Sequence, residues 1–328
     1  MTSKYGFNQM SIDEFENWLP LQRVARTVLY IQQHHTYSPD YSRFNGSNHF
    51  ELQKSMKDYH VNQNGWADLG QHFTTFPDGS IVTGRSLELS PAGIYMNNAN
   101  AVCLEHLGDF DPGNDLMTGE QRDTIIRVTA ALCTRFGIPV TTDRIVYHHW
   151  FNLDTGVRNN GAGNNKTCPG TNFFGGNSVA ACQAVFLPAV TQVRTGLADP
   201  SIQSDMVKYV CVTAGTLNIR EKPDGQSPMV PDREPATLGA ILRVFRKENG
   251  WYKISSSREH WVSARYTMDV TRATVEADVL NVRSGPGSSF PVIASLMAGE
   301  EIFIQGEEAG WCKISMDEKW VKRDFLNF

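Results

Sequence analysis

Arg26-Thr27-Val28-Leu29-Tyr30-Ile31-Gln32-Gln33-His34-His35-Thr36 is a run of β-branched and large residues closing on a doubled histidine. Read as a buried strand over residues 26–33, it delivers His34 and His35 at its carboxyl end. Side chains alternate faces along a strand, so only one of the pair can address a given site. The pattern recurs downstream, where residues 143–147 read as a strand followed by His148-His149. A single cysteine then stands in Asn165-Lys166-Thr167-Cys168-Pro169-Gly170.

Around these strands the chain alternates with helices. Ser11-Ile12-Asp13-Glu14 is a capping box opening a short helix that buries Phe15 and Leu19. A helix from Ser47 or Asn48 to His60 places Leu52, Met56 and Tyr59 on one face. Residues 71–76 and 80–84 form a hairpin around Pro77-Asp78-Gly79. Residues 101–107 are a strand broken by the charge of Glu105. A second capping box, Thr118-Gly119-Glu120-Gln121, starts the longest helix, with Ile125, Val128, Leu132 and Phe136 stacked before Gly137-Ile138-Pro139. Residues 178–193 read as a last helix, and Asp199-Pro200 as the start of a linker. Strands mixed with helices predict an α/β domain, a central mixed sheet flanked by helices, over residues 1–198.

Beyond the linker an internal repeat appears. Leu217-Asn218-Ile219-Arg220 returns as Leu280-Asn281-Val282-Arg283, and Gly250-Trp251-Tyr252-Lys253-Ile254-Ser255 as Gly310-Trp311-Cys312-Lys313-Ile314-Ser315. Trp261-Val262 matches Trp320-Val321. A period of roughly 60 residues with several turn clusters per copy predicts two small β-barrels, over residues 206–268 and 271–328. Trp251, Trp261, Trp311 and Trp320 are ligand-stacking candidates, although at least half are expected to fill barrel cores.

Composition narrows the function. A formal net charge of −5 argues against nucleic acid as a partner, which calls for a basic stripe. No apolar run nears the roughly 20 residues that span a bilayer, so no membrane partner is expected. The start, MTSKYGFNQMSIDEF, has no apolar leader segment. The six cysteines contain no CxxC pair; most are expected to be inert, and the sequence leaves a Cys168–Cys182 disulfide open.

A catalytic zinc takes three protein ligands and keeps one open position. His34 or His35, His148 or His149, and Cys168 supply such a set. Each taken alone is more often an incidental surface histidine or a free thiol; together, at strand and loop ends of one domain, they favour metal. Glu105, on a strand and aimed at a cleft, needs a partner or a task to offset its desolvation.

Four motifs in order then carry a resemblance: Ile31-Gln32-Gln33-His34-His35-Thr36, Gly65-Trp66-Ala67-Asp68-Leu69-Gly70-Gln71-His72-Phe73, Asp78-Gly79-Ser80-Ile81-Val82-Thr83-Gly84-Arg85 and Lys166-Thr167-Cys168-Pro169-Gly170. From about Thr27 to Phe174 the chain resembles zinc-dependent N-acetylmuramoyl-L-alanine amidases of the type shared with peptidoglycan recognition proteins. The tail resembles bacterial SH3-like wall-binding domains. The resemblance implies Zn²⁺ held by His34, His148 and Cys168, with His149 the competitor for the second position. It implies Glu105 as general base; Lys166, two residues before Cys168, is placed to donate to the developing oxyanion. Many relatives carry a tyrosine where this chain has Gln71, which shifts the weight to Glu105. His60 and His72 are expected to be structural, and Arg85 to meet either a substrate carboxylate or a structural ion pair. The long loop between His148 and Cys168 is expected to wall the groove.

The implied activity is hydrolysis of the bond between N-acetylmuramic acid and L-alanine in peptidoglycan, by a monomer. Action is at the bacterial wall, reached by lysis, a dedicated secretion route or after trimming of a leader. The rivals are a recognition protein that binds without cutting, and a cysteine endopeptidase using Cys168 as nucleophile.

Overall fold

A computed structural model describes residues 1–194, 206–231, 233–256 and 258–328; the linker expected at Asp199-Pro200 lies outside them. The chain divides into two compact units, Met1–Gln22 with Val28–Ile202, and Arg23–Thr27 with Gln203–Phe328.

The first unit is built on a seven-stranded sheet. Its strands are β1 (Thr2–Lys4), β2 (Phe7–Met10), β3 (Tyr30–His35), β4 (Phe73–Thr75), β5 (Ile81–Thr83), β6 (Ala101–His106) and β7 (Ile145–Tyr147), in the order β1-β2-β5-β4-β6-β3-β7. The β4, β6, β3 and β7 strands run parallel and the β1-β2-β5-β4 edge is antiparallel. This is the mixed sheet expected. The strand bearing the first histidine pair starts four residues later than its sequence suggests, because its partner β6 begins at Ala101, opposite Tyr30. The N-terminal hairpin β1–β2 went unread; its turn uses Tyr5 and Gly6, both at positive φ.

Helices cover the sheet: α1 (Ile12–Trp18), α2 (His49–Asn62) and α3 (Gly119–Phe136). The Ser11–Glu14 capping box is complete in both directions. At Thr118 only half of it forms. Thr118 Oγ1 accepts from Gln121 N, but the Gln121 side chain donates instead to the Leu107 and Thr75 carbonyls, and Thr118 N donates to Tyr41 Oη. A buried strand end outcompeted the cap for that amide. Ile125, Val128, Leu132 and Phe136 are buried as expected, and Gly137 closes α3 in the left-handed conformation.

The last helix is not continuous. Short α4 (Val179–Ala181) passes through a π segment, Cys182–Phe186, into α5 (Leu187–Arg194). Pro188 lacks an N–H and would clash with the carbonyl four residues back in a regular helix, so a wider turn precedes it. Phe186 packs there with Tyr147, Phe173 and Phe174.

The second unit is β-rich, with several small antiparallel sheets. Trp261 and Trp320 are buried in equivalent places, each donating its indole N–H to a glutamate two residues earlier, Glu259 and Glu318. Trp251 and Trp311 are half-buried. One long strand, Thr267–Val275, serves both repeats. Its residues 267–270 pair with Lys208–Val212 and its residues 271–274 with Glu301–Ile304. The change of repeat thus falls in mid-strand, between Val270 and Thr271. All six cysteines are free and buried, which removes a Cys168–Cys182 disulfide. No described helix is long and apolar enough to cross a membrane.

Candidate metal centre and groove

The parallel strands end together, and their carboxyl ends are where side chains of different strands converge in such sheets. Register puts His34 of β3 opposite Glu105 of β6, and Glu105 opposite Thr74 of β4. On the other side β7 ends at Tyr147, paired to Gln33, and the chain turns at once into a 3₁₀ turn, His148–Trp150.

That turn separates the second histidine pair. His148 Nδ1 lies 3.2 Å from His34 Nδ1, and His34 Nδ1 lies 3.6 Å from Cys168 Sγ. The three residues are buried, and their ligand atoms lie within 4.8 Å of one another. His149 turns away; its Nδ1 meets the Lys166 carbonyl at 2.6 Å and its ring covers Gly161. His35 also points elsewhere, its Nδ1 accepting from Phe110 N at 3.2 Å.

The donor set fits zinc on its chemistry: two nitrogens and one sulfur, converging and shielded from solvent. Burial pushes both histidines down, His148 to about 3, reinforced at His34 by His148 and Lys166 and at His148 by Lys166 and His35, so both offer lone pairs. Burial drives the Cys168 thiol far up, so binding a cation here must expel its proton. The His35 backbone N–H donates to Cys168 Sγ at 3.4 Å, a contact that favours the thiolate. The loop bearing the cysteine is pinned on both sides by Asp111, which accepts from Thr167 Oγ1 at 2.6 Å and Thr171 N at 2.9 Å. Cys103, read as inert, also comes within ligand distance of His34 and Glu105. Its position on β6 two residues before Glu105 was the available signal.

These residues lie in a groove of about 1090 Å³. One side is α2, which presents Leu52, Ser55, Met56 and Tyr59 to it. Tyr59, expected on the inward face of this helix, is 60% exposed at the groove, while Met56 one turn earlier on that face is buried in the core. Thr36 to Pro39, Arg43, Trp66 and Ala92-Gly93 complete the lining with Glu105 and Lys166 to Cys168. Burial lifts the Glu105 carboxyl to about 7, opposed by the positive charge of Lys166. Lys166 is exposed on the groove rim, and among the described residues its ammonium makes no ion pair.

Other expectations divide. Arg85 meets no carboxylate: it is buried and donates to the carbonyls of Leu69, Ser90 and Asp68 at 2.7, 2.7 and 3.1 Å. Each of its three nitrogens holds a carbonyl, and Arg85 is not among the residues lining the groove. His72 is structural, bonded to Cys103 N and Leu89 O. His60 accepts from Gly70 N and stacks on Trp66, with a face on the groove. Gln71 is buried, its Nε2 donating to Thr74 Oγ1 at 3.0 Å. The loop after His149 closes on itself through Asn152, Asn159 and Asn165, and residues 154–165 do not line the groove.

Residues 24–171 match the family model described as N-acetylmuramoyl-L-alanine amidase, and residues 278–327 match that of the bacterial SH3 domain. The chain therefore carries an amidase-family domain followed by a bacterial SH3 domain, with one repeat copy, not both, covered by the latter match. Among similar solved structures is Drosophila PGRP-LB, at 21% identity over 50% of this chain and 84% of its own, TM-score 0.37. Another is the endolysin amidase LysCS of Clostridium intestinale, at 21% identity over 46% and 80%, TM-score 0.34. Bumblebee PGRP-SA is a third, at 15% over 49% and 87%, TM-score 0.37. No curated protein matches the chain. The family match supports peptidoglycan amidase or recognition activity, and the SH3 match supports wall binding.

Proposed function

We propose that this protein is a zinc-dependent N-acetylmuramoyl-L-alanine amidase, hydrolysing the amide between N-acetylmuramic acid and L-alanine in peptidoglycan. The observation that carries the reading is the convergence of His34 Nδ1, His148 Nδ1 and Cys168 Sγ beside Glu105 at one groove. His34, His148 and Cys168 hold the zinc, which supplies Lewis acidity at the scissile carbonyl. Glu105, lifted to about 7, takes the proton of the attacking water and returns it to the leaving amine. Lys166 offers a cationic donor to the oxygen on which charge develops. Gln71 has no ionisable proton, so the acid–base work falls to Glu105 alone.

The protein acts as a monomer at the bacterial wall, with a catalytic domain over residues 1–198 and two SH3-like domains over residues 206–268 and 271–328. The SH3-like pair tethers the catalytic unit to the wall, raising its local concentration near substrate. Use of Cys168 as a nucleophile is disfavoured by its burial, its raised thiol pKa and its place on a loop instead of a helix N-terminus.

Digestion of purified peptidoglycan with and without chelator tests the proposal. The expected result is new L-alanine amino termini that vanish on chelation and return with zinc. Chelator-insensitive cleavage within the stem peptide would favour a cysteine peptidase, and binding without cleavage a recognition protein.

A further inference from the structure

We infer that Gln32 is a positioning residue for the metal centre: its side-chain oxygen faces His34 Nε2 and accepts its N–H when zinc occupies Nδ1, holding that ring in the metal-binding tautomer. The inference rests on the zinc reading above.

Gln32 and His34 lie two residues apart on β3 and so share a face. His34 directs Nδ1 toward His148 and Cys168, at 3.2 and 3.6 Å. A neutral imidazole that offers the Nδ1 lone pair carries its proton on Nε2, which then needs an acceptor. His34 Nε2 is buried and without a partner, and so is Gln32 Oε1. The two atoms flank one point. A Cβ built on Gly93 would lie 2.2 Å from Gln32 Oε1 and 3.1 Å from both His34 Nε2 and Cys103 Sγ; of the two neighbours of His34, the amide oxygen is the stronger acceptor.

The orientation of the Gln32 amide is not arbitrary. Its Nε2 donates to the Asn97 carbonyl at 2.8 Å, and a carbonyl only accepts, so the oxygen must be the end left facing Gly93 and His34. Gly93 is itself held in place, its N–H donating to Asn98 Oδ1 at 2.9 Å. The opposite face of β3 shows the same pairing closed: His106 Nε2 meets Gln33 Oε1 at 2.8 Å while His106 Nδ1 meets Thr75 Oγ1 at 2.9 Å. Successive glutamines of β3 thus each face a histidine, Gln33 that of β6 and Gln32 that of its own strand, and the one at the metal centre is open. Histidines that bind metal through one nitrogen are oriented by an acceptor at the other, and losing it costs about 10- to 100-fold in metal affinity.

The test is zinc affinity by chelator competition on the full-length protein, for wild type, Gln32→Leu, Gln32→Glu and Gly93→Ala. Gln32→Leu should lose about 10- to 100-fold, Gln32→Glu, which keeps the acceptor facing His34 but loses the donor to the Asn97 carbonyl, should lose less than Gln32→Leu, and Gly93→Ala should weaken zinc by pressing on Gln32 Oε1. NMR of the zinc-loaded wild type should show an exchange-protected His34 Nε2–H that exchanges fast in Gln32→Leu. If Gln32→Leu binds zinc as wild type does, or the protected proton is unchanged in it, the inference is wrong while the metal site stands. If wild type binds no zinc, or Cys168→Ser binds it equally well, the metal reading itself fails and the inference falls with it.

Discussion

The two faces of β3 carry the same residue types in alternation, and they meet opposite fates. On the core face, Gln33 is bonded at both ends of its amide, to His106 and to Thr129, and His35 Nδ1 is bonded to Phe110 N. On the groove face, Gln32 Oε1 and His34 Nε2 are buried and unpaired, and nearby Gln71 Oε1 is too. Buried polar atoms are almost always satisfied, because leaving one bare forfeits its hydration. Bare buried atoms occur elsewhere in the chain as well, but on β3 both belong to the groove face, at Gln32 and His34. The difference between the faces marks where stability has been given up for a site, and it can be broken or sharpened by experiment.

The largest effect belongs to the ligands. Cys168→Ser or His148→Ala should abolish tight zinc binding and reduce amidase turnover by roughly three orders of magnitude or more, scaled to the loss of a whole catalytic group. His149→Ala should leave both within about twofold, since its ring meets only the Lys166 carbonyl and Gly161. Metal analysis beside turnover separates the two histidines. Equal losses at both would erase the distinction drawn here.

Glu105→Gln comes next, with zinc retained and kcat lower by about 10²- to 10⁴-fold. Its stability effect has the opposite sign. Burial raises this carboxyl from 4.5 to about 7, so the folded chain holds the proton more tightly than the unfolded one. Its contribution is favourable at low pH and is lost as pH rises through 4.5 to about 7. At pH 8 the metal-free Glu105→Gln protein should therefore melt higher, by the equivalent of about 3 kcal/mol. A variant both less active and less stable would contradict the assignment.

The same ionisation predicts that kcat/KM climbs with pH to a plateau reached below the metal-free value of about 7, because the base works only when ionised and a bound zinc ion favours its charged form. A profile flat from pH 5 to 8 would remove Glu105 as the base. On the core face, Gln33→Leu should leave zinc affinity unchanged and cost about 1–3 kcal/mol by stranding His106, read by denaturant unfolding. The smallest effect is expected at an exposed pair of the second unit. Arg323→Ala, which breaks a 3.1 Å contact to Glu307, should cost under about 1 kcal/mol.

Much of this was legible in the residues. The strands leading to each histidine pair, the Ser11 capping box, the α3 stripe and the duplicated tail all rest on local patterns, and local patterns survive folding. The second histidine pair shows where that stops. Alternation along a strand says that one of His148 and His149 faces the site. A 3₁₀ turn begins at His148, so alternation no longer applies, and choosing between them requires the position of His34 on a neighbouring strand. Tyr59 fails for a related reason. Helical spacing names a face but not whether core or groove lies beyond it. The role of Arg85 depended on three carbonyls from elsewhere in the chain, and the Gln32–His34 relation on the approach of Gly93. None of these is encoded in spacing.

The central claim is that His34, His148 and Cys168 together hold one zinc ion. Zinc K-edge X-ray absorption on the purified, zinc-loaded protein tests it most directly. The expected first shell holds one sulfur at about 2.3 Å and the remaining ligands nitrogen or oxygen at about 2.0–2.1 Å, with the sulfur lost in Cys168→Ser. A shell without sulfur in the wild-type protein would contradict it.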